Sequence, residues 1–309
     1  MDIVSYRDAP DLLDALVSAY NRNVAGLPHC YPVRPQRLRD ALSGAIGDPR
    51  LHRGLRDEEV LIAWDGGRLL GFVHLGIGST GSRRPAQGGI IRFLVYQRGA
   101  RAAGQALLDA AEAYLRGRKV SHVVAFHQRY RYSFYHLNSA YLSDRLGQVH
   151  ALMGWNGYRR GAGEGYFDWP NMRPEQPVPS DAGAYLTLDQ RAGAGQRPDL
   201  LVRAYRDGRE IGHCRFRSSA TYGEGGEAED WAFCTGLGVN DAFQGRGLGR
   251  ELLQRALIEL RRLGYPNACI STAWDNHRAA LFYTNVGFRV ADWTYGLGKA
   301  LDAEGAAQS

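Results

Sequence analysis

The spacing of apolar and polar positions divides the chain into short elements in a set order. Asp2–Tyr6 reads as a short strand. Leu12, Leu13, Leu16, Val17 and Tyr20 recur on one stripe, which predicts an amphipathic helix from about Asp11 to Asn23. A second short helix is expected over Pro35–Leu42. Two apolar runs, Glu59–Trp64 and Leu69–Leu75, flank Asp65-Gly66-Gly67, and Asp-Gly between such runs marks a tight hairpin. Gly89–Tyr96 reads as a further strand. A glycine-bearing loop, a helix over Ala103–Leu115 and a strand over Val120–Phe126 follow.

The second half repeats this order. Leu200–Tyr205 and Glu210–Phe216 flank another Asp-Gly turn, at Asp207-Gly208. Trp231–Val239 is a strand, Gln244–Gly249 a glycine loop and Gly249–Leu263 a helix. Leu252, Leu253, Ala256, Leu257 and Leu260 share one face of that helix, and Gly264 sits where a C-terminal cap belongs. Ala268–Trp274 is the next strand. A helix from about Asn276 to Asn285 and a last strand complete the chain. Gly104-Gln105-Ala106-Leu107-Leu108 reappears 145 residues later as Gly249-Arg250-Glu251-Leu252-Leu253. Asn156-Gly157-Tyr158-Arg159 reappears 130 residues later as Val286-Gly287-Phe288-Arg289. The chain is therefore an internal duplication with an insertion in the first copy around His127–Tyr141. Pro170, Pro174, Pro177 and Pro179 join the copies, a composition that suits a stiff surface linker. The expected limits are 1–172 for the first domain, 173–183 for the linker and 184–309 for the second domain. The second copy lacks the two opening helices; only a short strand at Tyr185–Leu188 and a loop at Arg191–Pro198 precede Leu200.

Composition narrows the classes. The 309 residues suit about two domains, and 44% apolar with 23% charged residues is ordinary globular usage. No apolar run approaches the roughly 18 residues of a spanning helix. Met1–Tyr6 shows no basic stretch leading into an apolar one, so no signal peptide is read there. Cys30, Cys214, Cys234 and Cys269 are far apart and form neither a zinc pattern nor a disulfide framework. A cytoplasmic protein with free thiols, no metal and no membrane partner is expected. The net charge is +6, and of the 38 basic residues only Lys119 and Lys299 are lysine. The arginines are scattered, which suits an anionic small ligand at least as well as nucleic acid.

The segment from Gly236 to Gly249 carries the chemistry. A strand runs into a loop with glycines at 245, 247 and 249, and an amphipathic helix starts there. Glycine lets successive backbone N–H groups converge, and the helix N-terminus adds partial positive charge, so the loop suits a pyrophosphate. It has neither the Gly-Lys-Ser/Thr of a Walker loop nor G-x-G-x-x-G spacing, and a tight packing turn is the alternative. Further on, Asn276 stands at a helix N-cap position, with Tyr283 two turns later on the same face.

Together these segments resemble the GNAT superfamily of acyl-CoA-dependent N-acyltransferases. Gln244-Gly245-Arg246-Gly247-Leu248-Gly249 matches its coenzyme loop, and Asn276 through Phe288 matches its segment ending in Gly-Phe. The resemblance is good over 200–300 and weaker over the first copy. It implies two tandem α/β domains, each with a mixed, mainly antiparallel sheet flanked by helices. It implies acetyl-CoA as acyl donor and a small-molecule primary amine as acceptor, in a monomer or homodimer. By the same resemblance Leu237, Gly238 and Val239 pair with the pantetheine amides. Gln244 and the amides of Gly245, Arg246, Gly247, Leu248, Gly249 and Arg250 hold the pyrophosphate. Asn276 contacts the coenzyme arm, and Tyr283 protonates the leaving thiolate. Independently of the family, a phenol of pKa about 10 can protonate a thiolate whose conjugate acid lies near 8.5. A strand N–H near Val239 could receive the developing oxyanion. An amine that arrives protonated needs a base, and Glu227, Glu229 and Asp230, just before the strand, are candidates; a solvated acidic loop is the alternative.

The first copy departs from the pattern. Its loop reads Gly99-Ala100-Arg101-Ala102-Ala103-Gly104, and Met153 and Leu146 stand at the tyrosine and asparagine positions. A thioether has no proton to donate, so this copy is not expected to run the same reaction. It is expected to wall the acceptor site, and it could also hold acyl-CoA. In His127–His136 aromatics alternate with arginines. That pattern fits a nucleic-acid stacking surface, a pocket wall or packing between the copies. Without a broader basic patch no nucleic-acid partner is expected. A non-catalytic acyl-CoA sensor and transfer to a peptide amine remain the alternative functions.

Overall fold

The computed structural model describes residues 1–43, 55–80, 87–137 and 141–301. The chain forms two compact units: Met1–Glu164 with Trp293–Ser309, and Gly165–Asp292.

In the first unit, β1 (Asp2–Ser5) is followed by helices α1 (Leu13–Val24) and α2 (Pro35–Leu42). Strands β2 (Arg56–Asp65), β3 (Arg68–Ser79) and β4 (Gln87–Tyr96) extend β1 in antiparallel order. Helix α3 (Arg101–Arg116) crosses over to β5 (His122–Ala125), which lies parallel to β4. β6 (Leu142–Ser143), α4 (Gly147–Trp155) and β7 (Arg159–Trp169) come next. The Asp65-Gly66-Gly67 turn forms as expected, with Gly66 and Gly67 at φ 53° and 84°. The stripe read on the first helix is its buried face: Leu13, Leu16, Val17 and Tyr20 all lie in the core.

In the second unit, β8 (Tyr185–Arg191), β9 (Asp199–Arg206), β10 (Arg209–Ser218) and β11 (Trp231–Val239) are antiparallel neighbours. A one-turn helix, α5 (Gly226–Glu229), occupies the stretch expected to be an acidic loop. Helix α6 (Leu248–Arg262) returns the chain to β12 (Asn267–Ala273), parallel to β11, and α7 (His277–Val286) follows. All five apolar positions read on α6 are buried. Gly212 makes room for that face, since a Cβ there would lie 3.1 Å from Leu252 Cδ1. Gly264, at φ 86°, ends the helix, and Tyr265 N–H donates to Leu260 O at 2.9 Å. Each unit is thus a mixed, mainly antiparallel sheet flanked by helices. No helix among the described residues is long and apolar enough to cross a membrane.

The compact units follow strands rather than the repeat boundary. The last strand, β13 (Arg289–Ala300), contributes residues from Trp293 onward to the first unit, where Leu297 pairs with Ala125 of β5. Lys299 reinforces the pairing with an ion pair to buried Glu112, Nζ to Oε1 at 2.7 Å. Residues 165–169 of β7 belong to the second unit, where β7 neighbours β12. The Pro-rich segment is not a free spacer. Val178 N–H donates to Gln254 Oε1 at 3.2 Å, Ser180 N–H to Glu251 Oε2 at 2.9 Å and Asp181 N–H to Arg246 O at 3.1 Å. These bonds fasten it along α6 of the second unit.

The insertion after His127 packs into the core of the first unit. Tyr132, Phe134 and Tyr135 pack with Tyr20 and Phe93, and Tyr132 and Phe134 stack at 5.1 Å. Arg92, 3% exposed, ties the insertion down by donating to Tyr130 O at 2.6 Å and to Ala41 O at 2.7 Å. Its guanidinium lies 4.7 Å from the Tyr132 ring centre and 3.6 Å from Glu58. Backbone acceptors, a ring face and a carboxylate together satisfy this buried cation. Residues 138–140, within the expected insertion, lie outside the described residues.

Candidate active site

Strands β11 and β12 pair from Trp231↔Asn267 to Cys234↔Ile270 and no further. At that point β11 carries a bulge against β10, with Thr235 as the extra residue between Cys234↔Phe216 and Gly236↔Arg215. Beyond it, residues 235–239 keep β10 on one side only. Asn240 N–H bonds to Ile211 O at 2.8 Å. By the alternation of an antiparallel ladder, the N–H groups of Leu237 and Val239 face the opposite way, into the gap that β12 leaves. Two backbone donors thus stand on an open strand edge.

The chain then turns into α6. Asn240 Oδ1 accepts from Ala242 N–H at 3.1 Å, which starts the turn. Gln244 braces it: Nε2 donates to Asp241 Oδ1 at 2.6 Å and to Val239 O at 3.2 Å, while Oε1 accepts from Arg278 Nη1 at 3.2 Å. Gly245 and Gly247 take φ 77° and 80°, and Gly247 is the helix N-cap with no side chain covering the first-turn amides. A side chain at either glycine would be strained at these dihedrals. Arg246 leans over the Phe243 ring at 5.7 Å.

Helix α7 faces this loop. Asn276 caps it by accepting from Ala279 N–H at 3.1 Å and donates Nδ2–H to Thr272 Oγ1 at 3.1 Å. Tyr283, 7% exposed, packs edge-on against Phe167 at 5.8 Å. Gly287, at φ 129°, turns the chain so that Phe288 packs on Trp169 at 5.6 Å.

A cavity of about 630 Å³ lies between these parts. Its wall holds Leu237, Gly238 and Val239, then Gln244, Gly245, Gly247, Leu248, Gly249 and Arg250, and across the gap Asn276 and Tyr283. Eleven of the fifteen residues singled out in the sequence therefore meet at one place. Arg246 is beside it in the loop. Phe243, Arg278, Ala279 and Phe282 complete the wall and were not singled out as site residues, although helical spacing puts Ala279 one turn before Tyr283 and Phe282 one turn after Ala279.

Glu229 and Asp230 do not join them. They stand at the opposite end of β11, and Leu237 lies roughly 20 Å along the strand from Trp231. Glu229 Oε2 accepts from Gln196 N–H at 3.0 Å, and Asp230 Oδ1 pairs with Arg197 Nη2 at 3.2 Å. Both carboxylates are engaged in holding the 196–197 loop. Glu227 is exposed on α5, near the same end. The titratable group that does stand over the open strand is His213 on β10, opposite Gly238. A Cβ on Gly238 would lie 3.7 Å from His213 Nε2, and one on Gly236 equally close. Glu210 Oε1 holds the ring from the other side, 3.1 Å from Nδ1, and Arg203 Nε lies 3.4 Å from Glu210 Oε2. The hairpin register, readable from the Asp207-Gly208 turn, already sets His213 on the polar face with Arg215.

The glycine loop of the first unit is built differently. Gly99 keeps φ 88°, but a Cβ on Gly104 would meet the Tyr96 ring at 2.7 Å. Tyr96 lies between α3 and α4 and donates its hydroxyl to Gln148 O at 2.8 Å. Met153 is fully buried, and Leu146 begins α4 without a side-chain cap.

Comparisons with known proteins agree with this geometry. Residues 164–288 match the model of the acetyltransferase (GNAT) family. The fold resembles a tandem GNAT protein from the clavulanic acid biosynthesis pathway, at 14% identity, covering 97% of this chain and 98% of that one with a TM-score of 0.66. It also resembles the glucosamine N-acetyltransferase region of a fungal multi-domain β-N-acetylglucosaminidase, at 15% identity, 96% and 38% coverage and a TM-score of 0.64. A third likeness is to a GCN5-related N-acetyltransferase from Sphaerobacter thermophilus, at 16% identity, 96% and 95% coverage and a TM-score of 0.56. No curated protein matches the chain. Residues 164–288, almost wholly in the second unit, thus match the GNAT acetyltransferase family, and the fold of the whole chain resembles that of a tandem GNAT protein.

Proposed function

We propose that the second unit transfers an acetyl group from acetyl-CoA to the primary amine of a small molecule. The observation that carries this reading is the shared cavity. One wall is an open strand edge with two free donors, another is an uncapped, positive-φ glycine loop, and the third bears a tyrosine. The chemistry fits the donor in each part. The first-turn amides of α6 and the nearby Arg250 and Arg278 suit a pyrophosphate. The Leu237 and Val239 N–H groups suit the amide-bearing arm and the thioester oxygen, whose negative charge grows as the amine attacks. In the transfer a C–N bond forms and the C–S bond breaks. The thiolate takes the Tyr283 hydroxyl proton, and the proton lost by the amine goes to His213 Nε2, directly or through water. Glu210 fixes the His213 ring so that Nε2 faces the strand, in place of the carboxylates expected from sequence.

Calorimetric titration with acetyl-CoA tests the reading. The wild type should bind at one site per chain with micromolar affinity, and a Gly247→Glu/Gly249→Glu variant should not bind. Coenzyme release in the presence of a panel of polyamines, aminoglycosides and amino sugars then tests transfer. A folded wild type that ignores acetyl-CoA would overturn the proposal, and binding without amine-dependent release would leave a sensor instead. His213→Asn should remove the acidic limb of the pH–rate profile, because an imidazole base loses its function on protonation.

A further inference from the structure

A larger cavity lies in the first unit, beside the start of its degenerate glycine loop, where Gln97 and Arg98 stand. It measures about 870 Å³, within the usual range for small-molecule sites. Four arginines from four separate places line it: Arg22 in the last turn of α1, Arg68 at the start of β3, Arg98 after β4 and Arg145 before α4. Among the described residues no aspartate or glutamate lines it. All four arginines are exposed. Arg22 and Arg98 make no ion pair or hydrogen bond among the described residues, whereas Arg68 donates to Gln97 Oε1 at 2.6 Å and Arg145 to Gly26 O at 3.4 Å. Of the acidic residues next to lining positions, Asp65 pairs with the N-terminal amine at 3.3 Å and Asp144 with Arg160 at 2.8 Å, while Asp14, beside Ala15, is exposed on α1 and does not line the cavity.

A second feature points the same way. The N-terminus of α4 opens on this cavity through Leu146 and Gln148, and no side chain caps it. Val149 N–H bonds back to Leu146 O at 2.9 Å, while the Gly147 and Gln148 amides have no partner earlier in the helix, so the end carries partial positive charge. The C-terminal carbonyls of α1 reach the same rim; Arg22 and the Arg145 bond to Gly26 O offset them. Helix polarity accounts for Arg22 alone, not for three more cations converging from β3, β4 and α4. The remaining wall sets apolar Trp64, Leu27 and Leu69 beside polar Ser18, Asn23, Gln97 and Gln148.

We propose that this cavity binds a small molecule bearing two or more phosphate groups. Guanidinium forks match phosphate oxygens in pairs, and four of them against one anion favour multiple charges over a single carboxylate. The site is independent of the transfer reaction, and inorganic pyrophosphate is its simplest probe. Equilibrium dialysis of labelled pyrophosphate at low salt should count one site in a Gly249→Glu chain, where the loop of the second unit carries a repelling carboxylate. Adding Arg22→Ala and Arg98→Ala should weaken that site at least 10-fold. Neither arginine has a partner to lose, and thermal melting checks that the fold persists. Replacing Arg209 and Arg289, exposed arginines of the second unit, should change nothing. ADP binding tighter than pyrophosphate would assign the apolar wall to a nucleoside, and equal binding would assign the site to the phosphates alone. Absence of pyrophosphate binding in the Gly249→Glu chain would overturn the proposal. So would equal weakening by the Arg209/Arg289 pair, which would reduce the effect to general surface charge.

Discussion

The loops 99–104 and 244–249 follow corresponding strands and open corresponding helices, but they treat the space beside them in opposite ways. In the second unit, Gly245 and Gly247 hold left-handed dihedrals, a Cβ on Gly245 would meet nothing within 4 Å and one on Gly247 only Ser180 at 3.8 Å, and the cavity begins there. In the first unit, Tyr96 lies against Gly104 and bonds to the end of the opposing helix. Asn276 caps α7 while Leu146 leaves α4 uncapped, and Tyr283 has buried Met153 as its counterpart. The strand–loop–helix frame needs only an apolar stripe and one or two glycines, so it survives the loss of the ligand groups. The difference separates what the fold requires from what the proposed reaction requires.

The strongest way to break that separation is to charge each loop in turn. Gly249→Glu sets a carboxylate among the first-turn amides of α6, and acetyl-CoA affinity should fall at least about 1000-fold. Ala102→Glu, at an exposed position of the first loop, should leave it unchanged. Calorimetry on both variants checks this, and equal losses would erase the distinction between the loops. Next in size is Tyr283→Phe. It keeps the packing against Phe167 and removes only the hydroxyl, so kcat should fall about 100-fold with coenzyme affinity intact. Met153→Leu, its counterpart, should not change kcat. Smaller again is Asn276→Ala, which loses the cap on Ala279 N–H and should lower stability by about 1 kcal/mol in denaturant melts.

The parts of this site that were legible in the sequence are those set by local pattern. The 245–249 glycines, the apolar face of α6 and the Asn276–Tyr283 spacing each lie within a few turns of chain. What was not legible depends on partners distant in sequence. Nothing near Trp293 announces that the strand after it pairs with β5, because the pairing spans about half the chain. The aromatic run after His127 reads alike as a stacking surface, a pocket wall or packing between the copies; Arg92, an isolated cation in an apolar strand, is what anchors it in the core of the first unit. The Pro-rich segment looks like a spacer because the groups that bind its amides, Glu251 and Gln254, lie more than seventy residues away.

The smallest expected effect is the most informative about the base. Glu229 and Asp230 were candidates because they precede the strand that ends at Val239, but sequence proximity to a strand is not proximity to its far end. Their partners, Gln196 N–H and Arg197, belong to the loop between β8 and β9. Glu229→Gln and Asp230→Asn should therefore change kcat less than about twofold. Each weakens one partly exposed polar contact, worth up to about 1 kcal/mol of stability. His213→Asn should lower kcat well beyond that and flatten its acidic limb. Measuring pH–rate profiles of the three variants together decides between the two ends of β11. A large loss in Glu229→Gln with an unchanged His213→Asn profile would return the base to the start of the strand, and would require the acceptor to reach it there.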